Sequence, residues 1–409
     1  MIIVQVGTGS LRIPPDRYGA AESYIYNLSK GLAAEGHAIT ILDIQESAGE
    51  AHSEELNGIK RLRIYGKHFQ TASGNPWLDY VRELLDLLGF SLKVNSHLRK
   101  QGYDIIHLHR MISSPLLVFL NRRLRPKMIY TAHSSIWMED KPGRLHKLAL
   151  ALDAYTMRRV ARVIAQAETL KAKFIRIARI PPEKIAVIPS AVDTAHYRPD
   201  NMDGTEVKHK YDMKGRTTIL CVGHIIPRKG VEYLVKAAAQ LVDEPGYQEA
   251  LFLLVGPLAQ PGFDKLSNRS YTASIMELIK QKGLERSVRL TGTVSQSDLL
   301  ELFRACDIFV LPSLAESSPA VMLQAMSCAK PVIGTRVGGI ADQIRDGWNG
   351  FLVEPADENA LAAKIGYLLS YPEERLRMGQ NSGQFARSEF GWTQACQKMA
   401  NAYREVLKT

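Results

Sequence analysis

One stretch, residues 308–344, constrains the fold more than any other: IFVLPSLAESSPAVMLQAMSCAKPVIGTRVGGIADQI. An apolar run ends at Pro312, and a polar loop follows it. A helix is predicted to open at Ser318-Pro319, because proline suits a first helical turn, where its missing N–H leaves no bond unmade. A second short strand, 331–334, leads into Gly338-Gly339. Strand, loop, helix, strand is the unit of parallel sheets that bind ligands at the carboxyl ends of their strands. Glu316 falls at such an end, and Gln324 follows eight positions later. If most of that interval is helical, the two side chains lie roughly 12 Å apart. That span matches the two ends of a sugar–diphosphate–ribose unit. The helix N-terminus between them offers free N–H groups and a positive dipole end to phosphate.

The rest of the chain repeats this alternation. Strands are expected at 2–6, 38–42, 61–64, 105–109, 128–132, 163–165 and 185–188, with helices at 20–35 and 78–100 between them. Residues 192–214 then turn polar, with Pro199 and Gly204 and no sustained periodicity, and read as an interdomain connection. A second set of strands follows at 219–222, 251–255, 288–291, 308–311, 331–334 and 350–353, and helices close the chain from 359. Two successive α/β parallel sheets are expected, facing each other across a cleft. Turn glycines and polar groups stand at the strand ends of both halves. In the first half these are Gly7-Thr8-Gly9-Ser10, Tyr18-Gly19-Ala20-Ala21-Glu22 and His133-Ser134-Ser135; in the second, Gly223-His224, Arg228-Lys229-Gly230, Gly256-Pro257, Gly292-Thr293 and the Glu316 loop.

The net charge of +10 sits in one half. Residues 1–195 hold 27 Lys and Arg against 18 Asp and Glu, a balance of +9. Residues 196–409 hold 25 against 24. The basic half, densest at 122–127 and 158–162, fits attraction to an anionic membrane surface or a phosphorylated acceptor; the alternative is a solvated basic face. No nucleic-acid module or basic groove interleaved with aromatics is present in the sequence, so nucleic acid is not an expected partner. Cys221, Cys306, Cys328 and Cys396 lack paired spacing and read as buried thiols of a reducing cytoplasm. The chain opens on a strand, without a secretory signal pattern, and its apolar runs are too short to span a bilayer.

Taken together, VGHIIPRKGVEYLVKA, LLVGP, VRLTGTV and the 306–355 block, with YGAAESYIYNLSKGLAAEGHAITIL, DIIHLH, YTAHSS and IPSAVDTAHYRP, resemble the retaining glycosyltransferases of family 4 along essentially the whole chain. The resemblance implies the double-Rossmann B-type fold. It implies a nucleotide-sugar donor domain at 196–391 and an acceptor domain at 1–195, with a last helix, 392–409, that returns to the acceptor domain.

The resemblance also distributes roles. Lys229 would meet the donor diphosphate, where a fixed cation offsets charge building on the leaving group. His224 stands where the family has an arginine; imidazole offers fewer donors than guanidinium, and Arg228, next to Lys229, is a cation that could compensate. Glu316 matches the first acidic residue of the family's Glu-x7-Glu motif and would accept bonds from sugar hydroxyls, while Gln324 replaces the second glutamate, a ribose ligand. Gly19, Val294, Ser317, Ser318, Ala320 and Val321 complete the donor site, and His133 would lie near the reacting sugar. For each of the charged and histidine positions the alternative is structural: a surface cation, a helix-end charge or a packed loop histidine.

Gly7-Thr8-Gly9 is only an echo of a dinucleotide loop, since Arg12 occupies the place of a third glycine, so no NAD is expected. No two aspartates stand two positions apart, and no compact metal-ligand cluster occurs; metal-independent catalysis without a cofactor is expected. The expected activity is transfer of a hexosyl unit from a nucleoside-diphosphate sugar to an acceptor hydroxyl with retention. A lipid-linked or envelope glycan is the expected acceptor, met at the cytoplasmic membrane face. The rivals are a degenerate, non-catalytic binding subunit and a sugar-nucleotide epimerase.

Overall fold

The computed structural model describes residues 1–15, 19–45, 49–66, 76–133, 137, 144–199, 204–258 and 265–408. The chain divides into two compact units, Met1–Ser190 with Trp392–Thr409, and Ala191–Gly391. The division falls five residues earlier than the 195/196 boundary read from the sequence. The 192–214 segment is not wholly irregular either. It holds a short helix, Thr205–Lys210, anchored by the buried Val207. Six residues are too few for a periodic pattern to register.

The first unit is built on eight strands: β1 Ile2–Val6, β2 Ala38–Gln45, β3 Ser53–Leu56, β4 Ile59–Gly66, β5 Ile105–Leu108, β6 Met128–Thr131, β7 Arg162–Ala165 and β8 Ile185–Val187. Their order is β3-β4-β2-β1-β5-β6-β7-β8. All neighbours are parallel except β3 and β4, an antiparallel hairpin. Asn57 and Gly58 form its two-residue loop, both at positive φ, 51° and 72°. Such a loop matches the twist of the strands it joins. Strand β3 went unanticipated because SEEL is polar and lies half in solvent at the sheet edge.

Alternate residues of β1 enter different cores. Val4 and Val6 pack with Phe90 and Val94 of the helix Pro76–Leu98. Ile3 packs on the other face with Ile25, Leu28 and Leu32 of the helix Ala20–Ala34, and with Met399 and Tyr403 of the final helix, Trp392–Lys408. The two helices cross closely at Gly31, where a Cβ would lie 2.3 Å from the Cys396 Sγ. Each large apolar side chain buried there contributes about 1.5–3 kcal/mol.

The second unit holds six strands: β9 Thr217–Val222, β10 Ala250–Val255, β11 Val288–Gly292, β12 Ile308–Leu311, β13 Val332–Thr335 and β14 Gly350–Val353. They are all parallel, in the order β11-β10-β9-β12-β13-β14. Strands β10 and β12 are buried along their whole length, as a parallel sheet covered on both faces requires. The strand order reverses between β9 and β12. Ligands of open α/β sheets bind at such a switch point, beyond the carboxyl ends of the two strands.

Candidate active site

The loops that leave β9 and β12 carry the charged residues singled out in the sequence. After β9 the chain makes a short turn at Pro227–Lys229 and passes through Gly230 at φ 62°. A Cβ at Gly230 would sit 2.0 Å from the Pro312 carbonyl oxygen, so only glycine lets this turn lie against the β12 loop. Leu314 N–H then donates to the Arg228 carbonyl at 2.8 Å, and Arg228 Nη1 to the Ala315 carbonyl at 3.0 Å.

Glu316 is buried at the centre of this arrangement. Lys229 Nζ pairs with its Oε1, Ser313 Oγ donates to the same oxygen at 2.9 Å, and Arg228 Nη1 stands 3.7 Å from Oε2. Burial by itself would raise the Glu316 carboxyl; the charges of Lys229 and Arg228 and the hydrogen bonds from Lys229 and Ser313 outweigh it and hold the group below the usual carboxylate range. The loop backbone is fixed from behind. Gly339 N–H donates to the Ser317 carbonyl at 2.7 Å. A Cβ at Gly338, φ 49°, would overlap the Glu316 carbonyl oxygen at 1.7 Å. Half-buried His224 is kept below the ordinary histidine range by burial and by the neighbouring Lys229 and Arg228 charges.

The helix after this loop runs Ala320–Ser327 and begins without a side-chain cap, so its first N–H groups are not taken by one. Pro319 lies just outside it at the cap position, and residues 316–319 are loop. The interval from Glu316 to Gln324 is thus helical only from Ala320 onward. Ser318 is buried and accepts from Gln343 Nε2 at 3.3 Å; Ser317, Ala320 and Val321 are half-buried along the same turn. Gln343 had no recognisable signal in the sequence. Gln324, half-buried, bonds Tyr197, and its Oε1 is buried without a partner. Val294 follows β11 and packs against the apolar cluster on one face of the sheet. The structure therefore gathers Lys229, Arg228, Glu316, His224 and the helix start at the β9 and β12 loops, while Val294 follows β11, two strands from β9.

In the first unit, Gly19 opens the helix Ala20–Ala34 at φ 155°, and a Cβ there would meet Glu22 Oε2 at 2.7 Å. Glu22 is buried and accepts from Thr8 Oγ1. Tyr18, Ser134 and Ser135 lie outside the described residues.

His133, just past β6, belongs to a cluster that the sequence did not reveal. His133 Nε2 is 3.0 Å from His109 Nδ1, and His109 Nε2 is 2.7 Å from Gln5 Oε1. Gln5 Nε2 donates to the Tyr403 hydroxyl at 3.2 Å, which is 2.7 Å from His107 Nδ1; His107 Nε2 is 2.7 Å from Thr131 Oγ1. Burial pushes His133 down to about 4 and holds His107 and His109 well below their ordinary range. The only available signal was the His-Leu-His spacing at 107–109, which puts both rings on one side of a strand. Among the described residues no three His, Cys, Asp or Glu side chains form a group that could hold a metal ion, and no helix is long and apolar enough to cross a membrane.

A family model described as Glycosyltransferase Family 4 matches residues 21–196, and one described as Glycosyl transferases group 1 matches residues 205–385. The chain is 28% identical to D-inositol 3-phosphate glycosyltransferase 2 of Catenulispora acidiphila over 320 residues, 75% of this chain and 71% of the relative. Sucrose-phosphate synthase from Thermosynechococcus elongatus has the same fold with a TM-score of 0.81 at 22% identity, covering 100% of this chain and 99% of the other. Anabaena HepE, solved in complex with UDP-glucose, gives 0.72 at 19% identity, covering 99% and 100%. Matched in both halves, the chain belongs to the group 1 glycosyltransferases with a family 4 amino-terminal domain, and its two Rossmann-like units are those of the B-type fold.

Proposed function

We propose that this protein transfers a hexosyl group from a nucleoside-diphosphate sugar to an acceptor hydroxyl, with retention and without a metal ion. The observation that carries the reading is the pairing of half-buried Lys229 with buried Glu316 at the β9/β12 switch point, beside an uncapped helix start. When the donor enters, the diphosphate takes Lys229 and the helix N–H groups, and Arg228 adds a second cation. Glu316, released from Lys229, accepts hydrogen bonds from hydroxyls of the transferred sugar. As the sugar–phosphate bond breaks, charge gathers on the diphosphate and the fixed cations lower the barrier. The same phosphate takes the acceptor's proton on the face from which it left, which preserves the anomeric configuration. Gln324 serves the ribose, and His133 borders the sugar.

The basic balance of residues 1–195 favours an acceptor that carries phosphate, free or lipid-linked at an anionic membrane surface. The relative from Catenulispora acidiphila is named for a phosphorylated acceptor, D-inositol 3-phosphate, which is the same chemistry. The test incubates the protein with UDP-, GDP- and ADP-hexoses, with and without phosphorylated acceptors, in EDTA, and reads products by NMR. Transfer with retained anomeric configuration is expected, with slow donor hydrolysis when no acceptor is present. Epimerised donor, inverted product, dependence on added metal, or no turnover at all would each overturn a stated part of the reading.

A further inference from the structure

We propose that Gln5, His109 and Tyr403 are positioning residues that hold His133 as a single neutral tautomer, protonated at Nε2, and that the final helix anchors this arrangement. The proposal rests on the reading that His133 borders the transferred sugar.

Gln5, His107, His109, Thr131 and Tyr403 are buried and His133 is half-buried, so each polar atom of the network needs a partner of the right sense. A neutral imidazole carries one N–H and one lone pair, and an amide has one donating and one accepting end. Gln5 presents Oε1 to His109 Nε2 at 2.7 Å, so that nitrogen carries the proton. His109 Nδ1 is then a lone pair, and His133 Nε2, 3.0 Å away, must donate to it. His133 Nδ1 is left as an acceptor, which suits a sugar hydroxyl; Gln166 is also hydrogen-bonded to the ring.

Followed the other way, Gln5 Nε2 donates to Tyr403. Tyr403 spends its own proton on His107 Nδ1 at 2.7 Å, and His107 Nε2 donates to Thr131 Oγ1 at 2.7 Å. Rotating the Gln5 amide would reverse every bond from Tyr403 to His133. The amide orientation therefore sets the direction, and the Tyr403 hydroxyl, bonded to both Gln5 and His107, ties the final helix into it. Burial keeps the three histidines neutral, so the tautomer is a defined quantity. Ring rotation is limited by Tyr24, packed edge-on against His133 with centroids 5.0 Å apart and backed by Trp392 at 5.5 Å. Gln5 and Tyr403 are 398 positions apart in sequence.

The experiment is long-range proton–nitrogen NMR of the full chain labelled with 15N-histidine, with each ring assigned by single substitution. In the wild type, His109 and His133 are expected as Nε2–H tautomers. In Tyr403→Phe and Gln5→Leu, His133 should become a mixture of tautomers. Their turnover should fall about tenfold, the rate equivalent of one ordinary hydrogen bond, with the donor KM unchanged. A wild-type His133 protonated at Nδ1, or a tautomer unchanged in both variants, would overturn the proposal. The wild-type spectrum decides alone if a variant does not fold. A changed tautomer with wild-type turnover would leave the relay standing and break the reading that His133 meets the sugar.

Discussion

The two buried polar clusters are built on opposite principles. At the β9/β12 switch point, the Glu316 carboxylate is kept charged by Lys229 and Arg228. In the first unit, Gln5, His107, His109, His133 and Tyr403 are neutral and satisfied by direction of donation. A charged pair can exchange partners, since a diphosphate offers Lys229 what Glu316 offers it. A neutral network gains nothing from exchange and holds its geometry. The first arrangement suits groups that must respond to a ligand, and the second suits a group that must already be in place.

The comparison breaks most sharply at Lys229. Lys229→Ala is expected to lower turnover by about two to three orders of magnitude, measured by steady-state kinetics on the folded variant. Near-normal turnover would mean that the pair is only a structural bridge.

Acid separates the clusters next. The folded-state histidine values are depressed, so their stabilisation is complete above the unfolded value near 6.5 and is lost as pH falls below it, down to about 4 for His133. Glu316 is also depressed, but from a lower starting value. Its contribution is complete above about pH 4.3 and is lost only as pH falls through its folded value. Urea unfolding should show stability falling as pH drops from about 6.5 to about 5, because the unfolded chain takes up histidine protons that the folded network refuses. Replacing His133 with Asn should flatten that slope, and Glu316→Gln should not change it.

The docking of the final helix can be probed at Gly31. Gly31→Ala forces a methyl onto Cys396 Sγ and should cost about 1–3 kcal/mol in denaturant unfolding. Adding Cys396→Ala should restore most of the loss; if it does not, the helices do not cross as described.

The smallest effect is expected at Gln324. Gln324→Glu should preserve or improve nucleotide affinity by calorimetry. Gln324→Leu should weaken it roughly five- to 150-fold, through ribose hydroxyls left unpaired. Equal affinity in all three forms would remove this position from the donor site. Nucleotide binding that appears only with Glu would instead favour a chain that has lost its donor site.

What could be read from the sequence follows how far each feature reaches along the chain. Strands β1, β12 and β14 were read with their observed ends, because apolar runs bounded by turn residues are local signals. Lys229 and Glu316 were found through neighbouring motifs, yet their pairing across 87 positions was not. Strand β3 was missed despite Asn57-Gly58, a local hairpin signal, because SEEL carries no apolar run to mark a strand. The histidine network had no sequence signature beyond the His-Leu-His spacing at 107–109. It joins β1, β5, β6 and the final helix, and only folding brings those four together.

The place of that final helix bears on how the chain is made. Residues 1–190 leave the ribosome first, but the helix that covers Ile3, Leu28 and Leu32 begins at Trp392. About 200 residues of the second unit must be synthesised in between, which takes roughly 10–40 s at 5–20 residues per second. Throughout that interval the nascent first unit carries an open apolar face and a half-built histidine network, a natural substrate for a holding chaperone. The 17 residues of the final helix close both at once.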